Sequence, residues 1–302
     1  MEDQGVNGDI WNKQATELLT RLGWKNIGDH DIDIKGGDKD KYGIDTLMTY
    51  VTPLKNRPQS VILEAKRYVT NSFQAGHLQA WIKRLDEKLV ALRDSSNLFE
   101  LFPELENCTT FDVGLLVIWF SNTDDYKEFR PKFLQALEKV NVSWRERKAG
   151  SSSIFVLDNT RITRLCALVK AVGDLGKNFK FSYPTAYNNG CLDQDNEVLT
   201  VEYMFSDVVI GSVYNDKEES VVFYFGENNM KSFKMLKNAL MRTNVWKKDR
   251  PLNLFLYNSD IDIRKIKSNI KDLFGDIGEI NIKFMESNNE LPSFLKDIIT
   301  DD

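Results

Sequence analysis

Two neighbouring stretches decide the fold of this chain: Tyr-Gly-Ile-Asp-Thr-Leu-Met-Thr-Tyr at residues 42–50 and Ser-Val-Ile-Leu-Glu-Ala-Lys-Arg at residues 60–67. Both have the composition of strands, and a polar turn separates them. Residues 61–63 form a continuous apolar run, which indicates a strand covered on both faces. Side chains two apart on a strand point to the same face, so Glu64 and Lys66 project together. A covered strand that ends in an acid and an amine needs partners or water for both charges.

Length and composition limit the class of protein. The chain has 302 residues, enough for one large domain or two of ordinary size. The hydrophobic share of 42% and the charged share of 28% are those of a soluble globular protein. A net charge of -5 excludes a basic nucleic-acid coat protein. It does not exclude a nuclease, whose own carboxylates add negative charge and whose phosphate-binding groove needs only a local basic patch.

The cysteine content and the N-terminal sequence favour a cytoplasmic location for the protein. Cys108, Cys166 and Cys191 are widely spaced, and with only 2 histidines the chain has no zinc-site pattern. Free thiols in a reducing compartment are the expectation. The N-terminus lacks the basic and apolar regions of a signal peptide. The longest apolar run, Val113–Phe120, is too short to cross a bilayer. We therefore expect a cytoplasmic protein without a membrane segment.

Hydrophobic periodicity predicts an α/β unit in the first half of the chain. The predicted elements are a helix over 8–22, a strand at 32–34, strands over 44–51 and 60–67, a helix over 72–94, a strand over 112–120, a helix over 125–140, a strand over 153–157 and a helix over 160–175. Three successive strands predict a meander. The strand–helix–strand passage that follows predicts a crossover, so the sheet should be mixed.

A second α/β unit is predicted beyond residues 178–196, which contain proline, asparagines, a glycine and several acids and are interpreted as a boundary or long loop. The predicted elements are strands over 198–205, 208–214 and 220–226, a helix over 229–243, a strand over 252–257, a helix over 262–274, a strand over 279–285 and a helix over 291–299. The sequence thus predicts an N-terminal domain over 1–180 and a C-terminal α/β domain over 195–302.

The charged residues of the central strands, together with an acid on the first helix, resemble the motif of the PD-(D/E)xK nuclease superfamily, which has the restriction-endonuclease-like fold. The predicted order of helix, three strands, helix and strand also fits the core of that superfamily. The resemblance covers about residues 8–120 and says nothing of residues 196–302. The matching residues are Gly43-Ile44-Asp45, Glu64-Ala65-Lys66 and, upstream, Glu17.

The resemblance implies a metal-dependent phosphodiester hydrolase. Carboxylates that hold Mg²⁺ (or Mn²⁺) suit this chemistry, because the ion neutralises charge on the phosphoryl group and activates water. By the resemblance, Asp45 and Glu64 are metal ligands, with the backbone carbonyl of Ala65 and the carboxylate of Glu17 completing the site. Lys66 would lie beside the attacking water and orient it or stabilise developing charge.

Alternative interpretations of these residues stay open. Glu64 and Lys66 could form a surface salt bridge with a neighbouring acid, and Glu17 could be a solvated helix residue. The separation of Asp45 from Glu64 requires either a loop or strands longer than predicted. On the helix after Lys66, some branches of the superfamily carry a glutamine, for which Gln79 is the better candidate and Gln74 the other. Tyr68 could line the groove, although strand tyrosines commonly pack.

Basic residues offer places for a polyanion. Lys83 and Arg84 lie on the helix that follows the motif, and a cluster lies in the second half of the chain. That cluster either binds nucleic acid or is a solvated helix face, and the second domain could bind a protein instead. Its members are Lys231, Lys234, Lys237, Lys247 and Lys248.

The sequence therefore predicts a Mg²⁺-dependent endonuclease, with DNA favoured over RNA as substrate. The resemblance implies a role in restriction or phage defence, together with a partner subunit or as a homodimer. Two alternatives remain: an RNA-cleaving (tRNA-cleaving) defence nuclease of the same fold, and a non-catalytic nucleic-acid-binding or assembly subunit. Intact acidic and lysine positions favour an active enzyme over the last alternative.

Overall fold

The computed structural model describes residues 6–28, 32–36, 39–53, 58–95, 97–108, 111–141, 152–187, 190–243, 245, 250–257, 263–275, 278–286 and 290–299. The chain forms two compact units. The first comprises Met1–Ile162 and Asn289–Asp302, and the second comprises Thr163–Asn288. The predicted domain bounds, 1–180 and 195–302, stay predictions. The division between the two compact units lies inside a helix, between Ile162 and Thr163, and residues 289–302 belong to the first unit.

The elements of the first half keep the predicted order, with two strands and a short helix in addition to those predicted. The helices are α1 (Val6–Thr20), α2 (Ala75–Asp94), α3 (Leu98–Leu101) and α4 (Thr123–Glu138), with 3-10 turns at Thr70–Ser72 and Pro103–Asn107. The strands are β1 (Lys25–Gly28), β2 (Ile32–Gly36), β3 (Lys39–Ile44), β4 (Thr46–Val51), β5 (Pro58–Tyr68), β6 (Val113–Phe120) and β7 (Ser153–Leu157).

The elements of the second half begin with the helix in which the first compact unit ends and the second begins. The helices are α5 (Asn159–Leu175), α6 (Val201–Met204), α7 (Met230–Arg242), α8 (Ile263–Phe274) and α9 (Ser293–Lys296), with a 3-10 turn at Asp297–Ile299. The strands are β8 (Phe179–Tyr187), β9 (Gly190–Asn196), β10 (Val208–Tyr214), β11 (Glu218–Tyr224), β12 (Leu252–Tyr257) and β13 (Ile280–Met285).

The sheet of the first unit has the order β1-β4-β5-β6-β7. Strands β1, β4 and β5 pair antiparallel, and β6 and β7 continue the sheet parallel to β5. The predicted meander and mixed sheet are confirmed. The first strand of the meander was predicted wrongly: it is β1, whereas residues 32–36 pair with β3 in a separate two-stranded sheet. Residues between the predicted strands 32–34 and 44–51 form β3, which pairs with β2 and buries Ile44 together with Ile34 on the partner strand.

The two faces of this sheet are covered by different helices. Leu116, Ile118 and Phe120 on β6 belong to the core cluster that includes the apolar residues of α2 and α4. Trp119 points to the other face because side chains alternate along a strand. There the ring of Trp11 on α1 lies 5.8 Å from the ring of Trp119. Helix α1 therefore covers one face of the sheet, and α2 and α4 cover the opposite face.

The sheet of the second unit has the order β13-β12-β11-β10-β8-β9. Strands β11, β12 and β13 are parallel, with α7 and α8 as their crossover helices, and β10 pairs antiparallel with β11 and β8. The predicted long loop and the predicted strand after it were wrong. Residues 178–196 hold the antiparallel pair β8–β9, and residues 198–205 hold α6 in place of a strand. Tyr183 accounts for the missing strand at residues 198–205. Its hydroxyl accepts from Thr200 N (2.9 Å) and donates to Val198 O (2.6 Å), so these backbone groups bond to a side chain and not to a neighbouring strand.

The cysteine side chains that the structure describes are free. Cys166 is buried, and burial raises the pKa of its thiol to about 12. Cys108 is half-buried, and burial raises the pKa of that thiol too. Both are poor nucleophiles at neutral pH. The side chain of Cys191 lies outside the described residues.

No helix in the described part of the chain has both the length and the apolar composition that crossing a bilayer requires.

The approach of α2 to the sheet depends on a glycine in β6. A Cβ at Gly114 would lie 2.9 Å from Cγ and 3.0 Å from Cδ2 of Leu85 on α2, a fully buried side chain. Gly114→Ala should therefore lower the free energy of unfolding by about 1–3 kcal/mol, measured by urea denaturation. Gly76→Ala on α2 is the matched control, since a Cβ there meets nothing within 4 Å. It should be neutral or stabilising, and equal losses from both substitutions would contradict the prediction.

Candidate active site

Strand pairing brings the two acids of the motif together. The β4–β5 register ends with Thr46 opposite Leu63, so Asp45, one residue beyond the ladder, lies at the level of Glu64. Asp45 is also the single residue between β3 and β4. The loop or extra strand length that their separation required is present, because β5 is 11 residues long and residues 52–57 precede it. Neighbouring positions on paired strands place side chains about 5 Å apart.

The acid and the lysine of β5 face α2. In the parallel register with β6, Glu64 is opposite Leu116 and Lys66 is opposite Ile118, both of which lie in the α2-side core. Burial decreases toward the strand end: the side chain of Glu64 is 0% exposed, that of Lys66 is 12% exposed and that of Asp45 is 33% exposed. Asp45 therefore provides the solvent-accessible side of the cluster.

Two ammonium groups lie against the two carboxylates. Lys66 Nζ is 3.8 Å from Asp45 Oδ2 and 3.5 Å from Glu64 Oε2. Lys88 on α2 contacts the other oxygens: its Nζ is 3.3 Å from Asp45 Oδ1 and is ion-paired with Glu64 Oε1. Each carboxylate thus lies between two cations, and the four charges cancel.

One carboxylate oxygen lacks a hydrogen bond. Glu64 Oε2 is buried and accepts no hydrogen bond from the described residues, although Lys66 Nζ is close enough for an ion pair. The two descriptions are compatible, because attraction between charges does not require the alignment that a hydrogen bond needs. Such an oxygen, next to the partly exposed carboxylate of Asp45, suits a hard cation. Asp45 and Glu64 therefore fit a divalent metal ion as ligands.

The fit involves two acids rather than three. Within the residues that the structure describes, no group of three or more His, Cys, Asp or Glu side chains could hold a metal ion. Among these residues, the carboxylate of Glu17 is not grouped with those of Asp45 and Glu64. Its carboxylate accepts from Arg21 Nε at 2.7 Å on α1, the helix that covers the opposite face of the sheet. The predicted metal-binding roles of Glu17 and of the backbone carbonyl of Ala65 stay predictions.

The motif did not indicate Lys88 as a member of this cluster. Its side chain is only 8% exposed. A signal was available: Lys88 follows Leu85 by three positions and precedes Leu92 by four, so it interrupts the buried apolar stripe of the helix. A lysine in a core stripe needs an anionic partner, and Asp45 and Glu64 supply it.

Asn12 on α1 is a second residue that the sequence did not indicate. It is buried; its Nδ2 donates to the backbone carbonyl of Asp45 (3.4 Å), and its Oδ1 accepts from the hydroxyl of Thr46 (3.3 Å). These contacts hold the backbone at the point where the chain enters β4. A buried polar residue in an amphipathic helix was the available signal.

The predicted accessory residues have structural partners. The amide of Gln79 donates to Asn141 O (2.8 Å) and accepts from Asn141 N (2.9 Å), which joins α2 to the segment after α4. Tyr68 is buried, and its hydroxyl lies 3.0 Å from Nδ1 of His77. Accessory roles for Gln79 and Tyr68 in the site stay predictions.

The predicted nucleic-acid-binding residues differ in exposure. Lys83 and Arg84 are exposed on α2. In the second unit, Lys231 and Lys234 are exposed on α7, whereas Lys237 donates to the carbonyl of Leu273 (2.6 Å) near the end of α8. The remaining members of the predicted cluster, Lys247 and Lys248, lie outside the described residues.

Comparison with known proteins gives one family match. Residues 1–161 match the family described as the GAPS4 protein PD-(D/E)XK nuclease domain. The match confirms the superfamily resemblance that the motif indicated. Neither the curated proteins nor the solved structures yield a match.

The buried ion pair between α2 and β5 makes a prediction for stability. Lys88→Met leaves the fully buried Glu64 without its partner on α2 and should lower the free energy of unfolding by about 3–5 kcal/mol in EDTA. Adding Glu64→Gln should restore a large part of this loss, because the uncompensated charge is gone. Urea denaturation of wild type, both single variants and the double variant measures the coupling. Additive losses would show that the two side chains do not interact.

Proposed function

The chain belongs to the GAPS4 PD-(D/E)XK nuclease family, a phage-defence nuclease family, and from this premise we propose that it is a divalent-metal-dependent endonuclease that hydrolyses phosphodiester bonds in DNA. The single observation that supports the proposal most is the convergence of Asp45, Glu64 and Lys66. The nuclease domain itself implies a phosphodiester hydrolase. The metal and the choice of DNA are our additions.

In the proposed mechanism, Asp45 and Glu64 would hold Mg²⁺ or Mn²⁺, which when bound supplies Lewis-acid stabilisation of the phosphoryl oxygens. Glu64, fully buried, fixes one side of the site, and Asp45, one-third exposed, faces the side open to substrate. The ammonium of Lys66 lies within 4 Å of both acids. From there it orients the attacking water and stabilises negative charge that develops on the phosphate.

Phosphate binding is assigned to lysines and an arginine in each unit. Lys83 and Arg84 are exposed on α2, the helix that contributes Lys88 to the cluster. On α7, Lys231 and Lys234 are exposed, and α7 contains no acid. We assign the same role to Lys247 and Lys248. We assign Lys237 a structural role, because it donates to a backbone carbonyl of α8. Basic side chains on one face of a helix attract a polyanion without reading its sequence.

The biological setting follows from the family. The nuclease domain is that of a defence protein. We propose that the chain acts in restriction or phage defence, with a partner subunit or as a homodimer supplying the rest of the assembly.

Incubation with plasmid DNA, single-stranded DNA and tRNA, in Mg²⁺ or in EDTA, tests the function. Wild type should cleave the DNA substrates in Mg²⁺ and not in EDTA. Lys66→Met should lower the cleavage rate at least about 100-fold, because it removes the ammonium nearest the reacting phosphate. Lys132→Met, an exposed lysine on α4, is the matched control and should cleave like wild type.

The same panel decides between the alternatives. Cleavage of tRNA alone would replace DNA by RNA as the substrate. Cleavage that continues in EDTA, or in the Lys66→Met variant, would show that Asp45, Glu64 and Lys66 do not form the active site. Tight binding of nucleic acid without cleavage, with the partner present, would favour a non-catalytic subunit.

Salt dependence tests the role of α7. Lys231→Gln combined with Lys234→Gln should weaken DNA binding uniformly across sequences and lower the slope of log Kd against log salt by about 2. Fluorescence anisotropy at several salt concentrations measures this slope. Lys217→Gln, an exposed lysine between β10 and β11, is the control. A slope that is unchanged by the double substitution would exclude these two lysines from the interface.

A further inference from the structure

Lys88 occupies one oxygen of each carboxylate that is proposed as a metal ligand. Its Nζ lies 3.3 Å from Asp45 Oδ1 and is ion-paired with Glu64 Oε1, so one ammonium bridges both proposed metal ligands. We propose that Lys88 is an internal cation that closes the metal site in the resting protein and has to leave Asp45 and Glu64 when a divalent ion binds. This inference rests on the proposed function, because it concerns the same two carboxylates.

Burial indicates that the contact is built into the fold. The side chains of Lys88 and Glu64 are 8% and 0% exposed, respectively. A buried charge is tolerated only when it is paired and hydrogen-bonded. Helix α2 delivers Lys88 from its core-facing stripe, between Leu85 and Leu92, rather than from its solvated face. The ammonium therefore has a fixed position against the acids instead of sampling solvent as surface lysines do.

Charge indicates that the ammonium and a divalent ion exclude each other. Two carboxylates and two ammonium groups already cancel. A dication beside Asp45 and Glu64 would lie within about 4 Å of the Lys88 ammonium, where repulsion is strong even at an effective dielectric constant of about 20. The ion and Lys88 would also compete for the same oxygens.

The two lysines of the cluster differ in this respect. Lys66 is 3.5 and 3.8 Å from the acids, and Glu64 Oε2, on its side, accepts no hydrogen bond. A bound ion would also repel Lys66, but this lysine leaves Glu64 Oε2 open to the ion, so its proposed role does not require it to leave the acids. Lys88 has a hydrogen bond to each carboxylate. Release of Lys88 would therefore free Asp45 Oδ1 and Glu64 Oε1, the two oxygens that it holds.

Calorimetric titration of the full-length, metal-free chain with Mn²⁺ tests the inference. Lys88→Met removes the competing charge while keeping a long apolar side chain, and it should bind Mn²⁺ about tenfold more tightly than wild type, or tighter still. Lys132→Met is the matched control and should bind like wild type, because this lysine is exposed on α4. Equal or weaker Mn²⁺ binding by folded Lys88→Met, or no Mn²⁺ binding by either protein, would overturn the inference.

A measurement on wild type covers the case in which Lys88→Met does not fold. The rate at which an amine-acetylating reagent modifies each lysine is followed by mass spectrometry in EDTA and in saturating Mn²⁺. Lys88 should react at least about fivefold faster with Mn²⁺, because the displaced ammonium loses its ion pairs. Lys132 should react at the same rate in both. An Mn²⁺-independent rate at Lys88 would overturn the inference.

These measurements are separate from the nuclease assay. Wild type that binds Mn²⁺ and releases Lys88, but cleaves no nucleic acid, would remove the proposed function and keep the role of Lys88. Wild type that cleaves DNA with Mg²⁺, while Lys88 stays unreactive in Mn²⁺, would remove the role of Lys88 alone.

Discussion

The burial of one carboxylate, that of Glu64, constrains the rest of the first unit. An ionised acid without solvent exposure has to be paired, and its partner Lys88 comes from α2 on the facing layer. Helix α2 can deliver that lysine because Gly114 lets Leu85 pack closely on β6. Asp45 has to lie at the same level, and the end of the β4–β5 ladder and the contacts of Asn12 place it there. The strand register, the close packing of α2 on β6 and the ion pairs are thus all needed to keep the buried Glu64 carboxylate paired.

Local sequence patterns predicted most of the strands and helices of the first unit and part of the site. The alternation of side chains along a strand placed Glu64 and Lys66 on one face, and apolar periodicity gave β4 to β7 and most helices close to their observed bounds. Lys88 and Asn12 were missed because their roles depend on which residues lie across the sheet or the core, and helix lysines and asparagines are solvated more often than not. The hairpin β8–β9 was missed for a related reason: prolines and glycines indicate turns, but pairing on either side of a turn is a non-local property.

Charge in a sequence has several structural meanings in this chain. Lys231 and Lys234 are exposed on α7, whereas Lys237 of the same helix donates to a backbone carbonyl of α8. Lys83 is solvated, and Lys88, five residues later, is buried between acids. A count of basic residues cannot separate these cases. Helical phase relative to the buried stripe can, because it decides which lysines face the core.

The position of Asp45 between two sheets has a consequence for how such a protein tolerates change. The strands β2 and β3 form their own ladder, and the main sheet begins again at Thr46. Extra residues added between β2 and β3 would lengthen that hairpin at its far end. The backbone at Asp45 would stay in register, because Asn12 and the β4–β5 ladder fix it from the other side. Because Ile34 and Ile44 of the hairpin belong to the core, this tolerance concerns only residues added between its two strands, where the geometry of the two acids would be kept.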